Sequence, residues 1–308
     1  MPDIAVVGSL NMDLIIRVPH LPAAGETVIG REFTTAAGGK GANQAVAAAR
    51  LGASVAMIGR VGDDDFGRAL KANLNAAGVD TTYVLLDGHS ATGMALIAVE
   101  EGGQNTIIVA AGANANVSHT DVDAARRVVA ASQVLVAQLE VPLDTVTYAM
   151  DMARSAHILT LLNPAPAQDL SPELLARVDM IVPNETEAGI LTGIPVKDWD
   201  SAKAAALELN RRGVPIVVIT LGERGALASD RRSIHRIPAF PVHAVDATAA
   251  GDAFVGALAV AWARGREMPS ALRQANAAGA LATLKLGAQP SLPTLAELEG
   301  FLQNNPAI

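Results

Sequence analysis

Between about residues 120 and 220, short apolar runs alternate with stretches of helical periodicity, and no other feature restricts the fold as much. The runs VLVAQL (134–139), HILTLL (157–162), MIVPN (180–184) and PIVVIT (215–220) are nearly uninterrupted. A strand with one wet face would alternate apolar and polar residues, whereas one covered on both faces reads like these. Helices are expected over 121–131, 142–155, 185–192 and 200–212. The pattern predicts an α/β fold with a doubly wound, mostly parallel sheet flanked by helices.

The N-terminal part fits the same scheme. DIAVVG (3–8) and SVAMIG (54–59) read as buried strands, and Gly41 to Leu51 and Phe66 to Ala77 as helices stopped by Gly52 and Gly78. Helices over 249–264, 267–286 and 294–303 close the chain. Four strand-like runs interrupt the alternation: LIIRV (14–18), TVIGREFTT (27–35), TGMALIAVE (92–100) and NTIIVAA (105–111). A Pro-rich turn, PHLPAAGE, joins the first two, and Glu101-Gly102-Gly103-Gln104 reads as a hairpin turn between the others. With no helix inside either pair, these runs predict a small separate β-sheet. The expected organisation is one α/β domain over 1–308 with a discontinuous lid, its strands from about 13–36 and 92–111.

Composition narrows the function. Of 308 residues none is cysteine, which removes disulfides, thiolate catalysis and zinc-thiolate or iron–sulfur sites and fits a reducing cytoplasm. Lys plus Arg is 23 against 31 for Asp plus Glu, so a broad nucleic-acid footprint is not expected. The longest uncharged apolar stretch, Ala253 to Ala263, is too short for a membrane span, and the first residues carry no signal-peptide pattern. The six His residues are scattered without metal-ligand spacing. No G-x-x-x-x-G-K-[ST], G-x-S-x-G or H-E-x-x-H occurs. The first strand ends in Gly8-Ser9-Leu10-Asn11, not in a dinucleotide glycine fingerprint, which argues against hydride transfer.

What remains lies at strand ends and helix starts. Ala247-Thr248-Ala249-Ala250-Gly251-Asp252 runs straight into a helix. Small residues allow close backbone approach, and free N–H groups at a helix start attract anions. Asp252 there reads either as a base beside a bound phosphate or as an ordinary first-turn acid. Gly38-Gly39-Lys40-Gly41-Ala42-Asn43-Gln44 is either a ligand-hugging loop or a tight turn. Asn11-Met12-Asp13 carries groups suited to hydroxyls but also reads as an Asx-capped turn. Glu140, Asn184-Glu185-Thr186-Glu187 and Thr220-Leu221-Gly222-Glu223-Arg224-Gly225 follow other strands, where helix capping and glycine turns are the alternatives. All of them fall on one edge of one sheet, where such folds bind ligands, and together they point to phosphoryl transfer onto a hydroxyl.

At these residues the chain resembles the phosphofructokinase B-type carbohydrate kinases, and their ribokinase-like group in particular. GGKGANQAVAAARLGA (38–53) and DATAAGDAFVGAL (246–258) match the two family signatures. Asn11-Met12-Asp13, PAAGET (22–27), AGANA (111–115), NPAPA (163–167), PNETEA (183–188) and KLGAQPS (285–291) match the ribokinase-like group, so the resemblance spans nearly the whole chain.

The resemblance implies ATP-dependent phosphorylation of D-ribose at its 5-hydroxyl, with Mg2+ on the phosphates. It implies that Asn11, Asp13, Gly39, Lys40, Gly41, Ala42, Asn43 and Glu140 hold the sugar. Asp252 would be the base, and the amides of Ala249, Ala250 and Gly251 the phosphoryl cradle. Asn184, Glu187, Thr220, Leu221, Gly222, Glu223, Arg224, Gly225 and Asn276 would line the ATP site. Asp246, Thr248, Ala282, Lys285, Gly287 and Ser291 would bind an activating K+, several through carbonyls. The lid would pair with its twin in a homodimer. The one departure is Ala247, where the family usually has Thr, so a hydroxyl is lost from the cation loop. A kinase for deoxyribose, another sugar or a nucleoside is the nearest alternative, and a non-catalytic sugar sensor a more remote one.

Overall fold

The structure is a computed structural model, and it describes residues 2–100, 102 and 104–306. Its main sheet begins with β1 (Ile4–Val7), whose alternate side chains enter two different cores. Ile4 and Val6 face one layer of helices, and Ala5 and Val7 the other. That two-sided burial explains why this strand, and the later ones like it, read as continuous apolar runs.

From β1 the chain leaves the main sheet as β2 (Asn11–Val18) and β3 (Glu32–Gly38), then returns through α1 (Lys40–Arg50), β4 (Val55–Gly62), α2 (Asp65–Ala76) and β5 (Val79–Asp87). A second excursion forms β6 (Gly93–Glu100) and β7 (Asn105–Ala110). Next come α3 (His119–Ala124), α4 (Arg126–Ala131), β8 (Val134–Ala137), α5 (Leu143–Ser155), β9 (Leu159–Leu162), α6 (Pro172–Leu175) and β10 (Met180–Ile181). The chain continues through α7 (Glu185–Thr192), α8 (Trp199–Arg211), β11 (Ile216–Thr220), β12 (Ala226–Ser229) and β13 (Ile234–Ile237), and ends with α9 (Ala250–Ala263), α10 (Met268–Ala282) and α11 (Leu295–Asn304).

The described strands of the main sheet run in the order β13-β12-β11-β10-β9-β8-β1-β4-β5, all in one direction except β12, which is antiparallel to both its neighbours. One core holds α1, α2, α9, α10 and α11, and the other holds α3 to α8. The small sheet is ordered β3-β2-β6-β7, with β2 and β6 parallel. Among the described residues no helix is long and apolar enough to cross a membrane.

Several expectations are corrected. Neither β5 nor the β12–β13 hairpin is anticipated by the apolar-run criterion. β5 and β13 are the edge strands of the sheet, where half-exposed positions carry residues such as Asp80, Thr82, His235 and Arg236, and β12 is a buried run of only four residues. The second lid strand starts at Glu32, not at residue 27, and runs to Gly38. Asn11-Met12-Asp13 is no turn, because these residues open β2 and pair with Gly38, Ala37 and Ala36. The helix expected over 121–131 is broken at Ala125, and that over 267–286 stops at Ala282. Of the hairpin turn at 101–104, Glu101 and Gly103 lie outside the described residues, while the antiparallel pairing of β6 with β7 fits a hairpin.

Candidate active site

The carboxyl ends of β9 to β11 and the starts of α1, α7 and α9 converge on a cleft of about 220 Å³. Lys40, Asn163, Asn184, Glu187, Thr220, Ala247, Ala249, Gly251 and Asp252 line it. Helix α9 can approach closely because Gly256 faces α1. A Cβ at that position would lie 2.6 Å from the Ala47 Cβ and 3.0 Å from the Gln44 carbonyl oxygen.

Asp252 sits in the first turn of α9 and is 8% exposed. Asn43 Nδ2 donates to its Oδ2 at 2.9 Å, and Gln44 Nε2 to its Oδ1 at 3.0 Å. Burial pushes the Asp252 carboxyl above its ordinary pKa, against the opposing effects of the Lys40 charge and those two amides. A carboxylate fixed in this way is positioned to take a proton from a neutral hydroxyl.

The turn before Asp252 has an unusual backbone. Ala249 adopts a left-handed φ of 58°, which costs a non-glycine residue about 1 kcal/mol or more. The Ala250 N–H is used within the turn, donating to the Ala247 carbonyl at 3.2 Å. Among the described residues, nothing accepts from the Ala249, Gly251 and Asp252 N–H groups, so they are the donors left for an anion at the helix start. Of the three amides expected as the cradle, Ala250 is thus already committed.

Asn11, Asp13 and Glu140 lie beyond Lys40, toward the small sheet. Glu140 Oε2 accepts from Ser9 Oγ at 2.5 Å and from the Lys40 backbone N–H at 3.2 Å. Asp13 has its carboxylate packed over Gly38, where a Cβ would lie 2.6 Å from the Asp13 Cγ. Burial first, then the Glu140 and Asp252 charges, raise its pKa to about 7. For Lys40, burial pulls the pKa down, but Asp252, Glu140 and Glu187 outweigh it and hold the ammonium above its ordinary value. Burial likewise raises Glu187. One cation among four carboxyls suits a ligand rich in hydroxyl donors, or one that brings its own cation. Asn43 Oδ1, buried without a protein partner, is a further acceptor there.

Gly39 has a φ of 90°, and a Cβ on it would stand 2.7 Å from the Asn11 nitrogen. Gly41 presses on the end of β1 in the same way, 2.7 Å from the Gly8 carbonyl carbon. The Ala42 N–H donates to the Ser9 carbonyl at 2.9 Å. These residues shape the backbone that presents Lys40 and Asn43.

Residues expected around a nucleotide divide into two groups. Asn184, Glu187 and Thr220 line the cleft, although Asn184 and Glu187 also form a complete capping box on α7. Leu221 to Gly225 form a turn closed by Leu221 N–H to the Gly225 carbonyl at 2.7 Å. There Arg224 pairs with Glu185, and a Cβ on Gly225 would lie 2.6 Å from the Ala239 nitrogen. Asn276 spends its side-chain amide on the Ile237 and Pro238 carbonyls, both at 3.1 Å, and supports the wall behind that turn.

Near the residues expected to hold a monovalent cation, Asp246 organises the loop. Its Oδ1 accepts from Thr248 N at 2.9 Å and Thr248 Oγ1 at 2.6 Å, and its Oδ2 from Gly287 N at 2.8 Å. Burial raises its pKa, but these bonds outweigh it and leave the carboxyl below its usual range. Lys285 Nζ turns away to Glu297 at 2.7 Å, and Ser291 Oγ donates to the Ala288 carbonyl at 2.8 Å. Ala282 ends α10.

Some participants had no role assigned from sequence. Gln44 also donates to Asn163 Oδ1 at 3.0 Å and accepts from Gln138 Nε2 at 2.6 Å, so a buried chain of amides stands behind Asp252. Gln44, Asn163 and Asn114 all lie inside motifs quoted above, but nothing local indicates what they touch.

Comparison with known proteins agrees with this geometry. Residues 1–295 match the pfkB family carbohydrate kinase description. A ribokinase of Haemophilus influenzae is 44% identical over 301 residues, 98% of each chain. A deoxyribokinase of Salmonella typhi is 40% identical over 304 residues, 98% of this chain and 99% of that one. The structure of an Arabidopsis thaliana ribokinase complexed with ribose and ATP superposes with a TM-score of 0.91 at 32% identity, covering 98% and 99% of the two chains. The ribokinase-like α/β fold expected from the sequence is therefore present, and the chain belongs to the pfkB family of carbohydrate kinases.

Proposed function

We propose that this pfkB-family carbohydrate kinase transfers the γ-phosphoryl group of ATP to the 5-hydroxyl of D-ribose. The observation that carries the reading is Asp252, clamped by Asn43 and Gln44 beside the open N–H groups of Gly251 and Asp252. Similarity to ribokinases supports the acceptor. Asn11, Asp13, Lys40, Asn43 and Glu140 hold the sugar hydroxyls, and Asp13 and Glu140 accept from them. Asp252 takes the 5-hydroxyl proton as that oxygen bonds to the γ-phosphorus. The bond from the γ-phosphorus to the bridging oxygen breaks, and ADP leaves with that oxygen. Stabilisation comes from positioning and from the α9 N-terminus more than from covalent chemistry.

Mg2+ would arrive on the nucleotide and neutralise phosphate charge. Among the described residues, no cluster of three or more His, Cys, Asp or Glu exists that could hold a metal ion, which fits delivery by the nucleotide. K+ fits the loop at Asp246 and Thr248, with carbonyls of Ala282, Lys285, Gly287 and Ser291. A carboxylate held by Thr248 and Gly287, with the Lys285 ammonium turned elsewhere, makes an oxygen-rich setting without a competing cation. There the ion would brace the Ala249 turn.

The small sheet covers the sugar as a lid on the single α/β domain. We place a homodimer contact on its β7 edge. Every residue of β7 is exposed, and Ile107, Ile108 and Val109 put an apolar surface along it. The reaction belongs in the cytoplasm, where ATP is supplied.

A second reading, phosphorylation of 2-deoxy-D-ribose, is favoured by the similarity to a deoxyribokinase. Parallel assays of both sugars with MgATP, with products identified by NMR, decide between them. A kcat/KM for ribose at least ~10-fold above that for deoxyribose is expected, because buried acceptors left unpaired penalise the missing hydroxyl. The reverse ratio overturns the ribose assignment.

A further inference from the structure

The chain passes between the two sheets four times: from β1 to β2, from β3 to α1, from β5 to β6, and after β7. All four crossings meet at one buried point, and Asn114 occupies it with 1% exposure. Asn114 Oδ1 accepts from Leu10 N at 2.9 Å, and its Nδ2 donates to the Leu10 carbonyl at 3.0 Å. The same Nδ2 donates to Asn11 Oδ1 at 2.7 Å. The Ala113 N–H donates to the Ala91 carbonyl at 2.8 Å, joining the last crossing to the third. Gly39, at the second crossing, lies against Leu10 and Asn11, where a Cβ would stand 2.9 Å from the Leu10 Cα. Gly93, paired with Asn11 in register, has room for no side chain because both asparagine amides sit over it.

This arrangement decides which way Asn11 faces. The two Leu10 backbone bonds admit only one orientation of the Asn114 amide, oxygen toward N–H and nitrogen toward the carbonyl. That orientation offers Asn11 a donor, so Asn11 must turn its oxygen to Asn114. Its own NH2 group is then left for something else, and no described residue accepts from it.

We propose that Asn114 is a positioning residue that fixes the Asn11 amide as a donor toward the sugar and ties the lid crossings into one junction. The first half rests on the proposed sugar site, and the second does not. An exposed hinge would let each crossing swing separately. Here the lid has to move about a junction that also holds a sugar-binding group, so closing the lid and presenting that donor are coupled.

The test is a double-mutant cycle of Asn11→Ala and Asn114→Asp, read as sugar KM, ATP KM and kcat with whichever pentose the wild type phosphorylates. Asn114→Asp replaces the donor facing Asn11 by an acceptor, which turns the Asn11 amide over. Sugar KM should rise about tenfold while ATP KM and kcat stay within about threefold. On the Asn11→Ala background the same change should cost less than about threefold. Multiplying losses, or a fall in kcat with both KM values unchanged alongside a fall in Tm, overturn the positioning role. Asn114→Ala supplies the cycle if the aspartate variant does not fold. Hydrogen exchange on Asn114→Ala needs no sugar. Residues 9–12, 90–93 and 111–115 should lose protection together, and loss confined to 111–115 refutes the junction even if the sugar assignment fails.

Discussion

Gln44 Nε2 donates to Asp252 Oδ1 at 3.0 Å, across 208 residues of sequence, and Gln44 is held in turn by Gln138. The proposed base is therefore aimed by a buried side chain that does not line the cleft. Gln44→Leu removes one donor from the carboxylate and strands the Gln138 amide. Losing a hydrogen bond to the charged form raises the Asp252 pKa. The acidic limb of the kcat–pH profile should shift to higher pH, with kcat at neutrality about tenfold lower and stability reduced by about 1–3 kcal/mol. An unmoved limb in a folded variant would exclude Gln44 from orienting the base.

Asp252→Asn keeps the shape of the site and removes proton acceptance. Turnover should fall by roughly two to four orders of magnitude. Sugar and ATP affinities, measured by calorimetry, should change only a few-fold. Wild-type turnover in this variant would remove Asp252 from its role.

Burial raises the Asp13 carboxyl to about 7 in the folded protein, from 3.8 for a free aspartate. Between those two values the unfolded chain binds fewer protons, so stability falls as pH rises and the full cost is present above pH 7. Asp13→Asn should match the wild type in stability near pH 4 and exceed it at pH 8, by up to about 4 kcal/mol if the whole shift is expressed. Sugar hydroxyls favour the carboxylate, so binding near pH 6.5 should release a proton, visible as a buffer-dependent binding enthalpy. Equal stability differences at both pH values would refute the linkage.

The loop organised by Asp246 lacks a hydroxyl at Ala247. Turnover in K+ should exceed turnover in a bulky organic cation, and Ala247→Thr should widen the ratio. Identical rates in both buffers, for both proteins, would leave the cation site without support.

Ile108 is 62% exposed on the β7 edge. Ile108→Lys should convert a dimer to a monomer in sedimentation velocity, with Tm of the isolated chain little changed. A wild type that sediments as a monomer at micromolar concentration would discard the lid contact.

The layer architecture could be read from the chain because burial on two faces writes itself into consecutive residues. VLVAQL and PIVVIT need no partner to show that they are interior strands. The loop Ala249-Ala250-Gly251-Asp252 is likewise a local statement about backbone freedom and helix polarity. The edge strands β5 and β13 were not readable, because exposure removes the apolar run on which the reading depends. Nor was the aim of any site residue. Asn43 and Asp252 meet across 209 positions, and Asn11 and Asn114 across 103. Sequence supplies the donors and acceptors, but an amide faces whichever way its neighbours' fixed dipoles require. Those neighbours come together only when the sheet order places β1, β8 and the lid crossings at one edge.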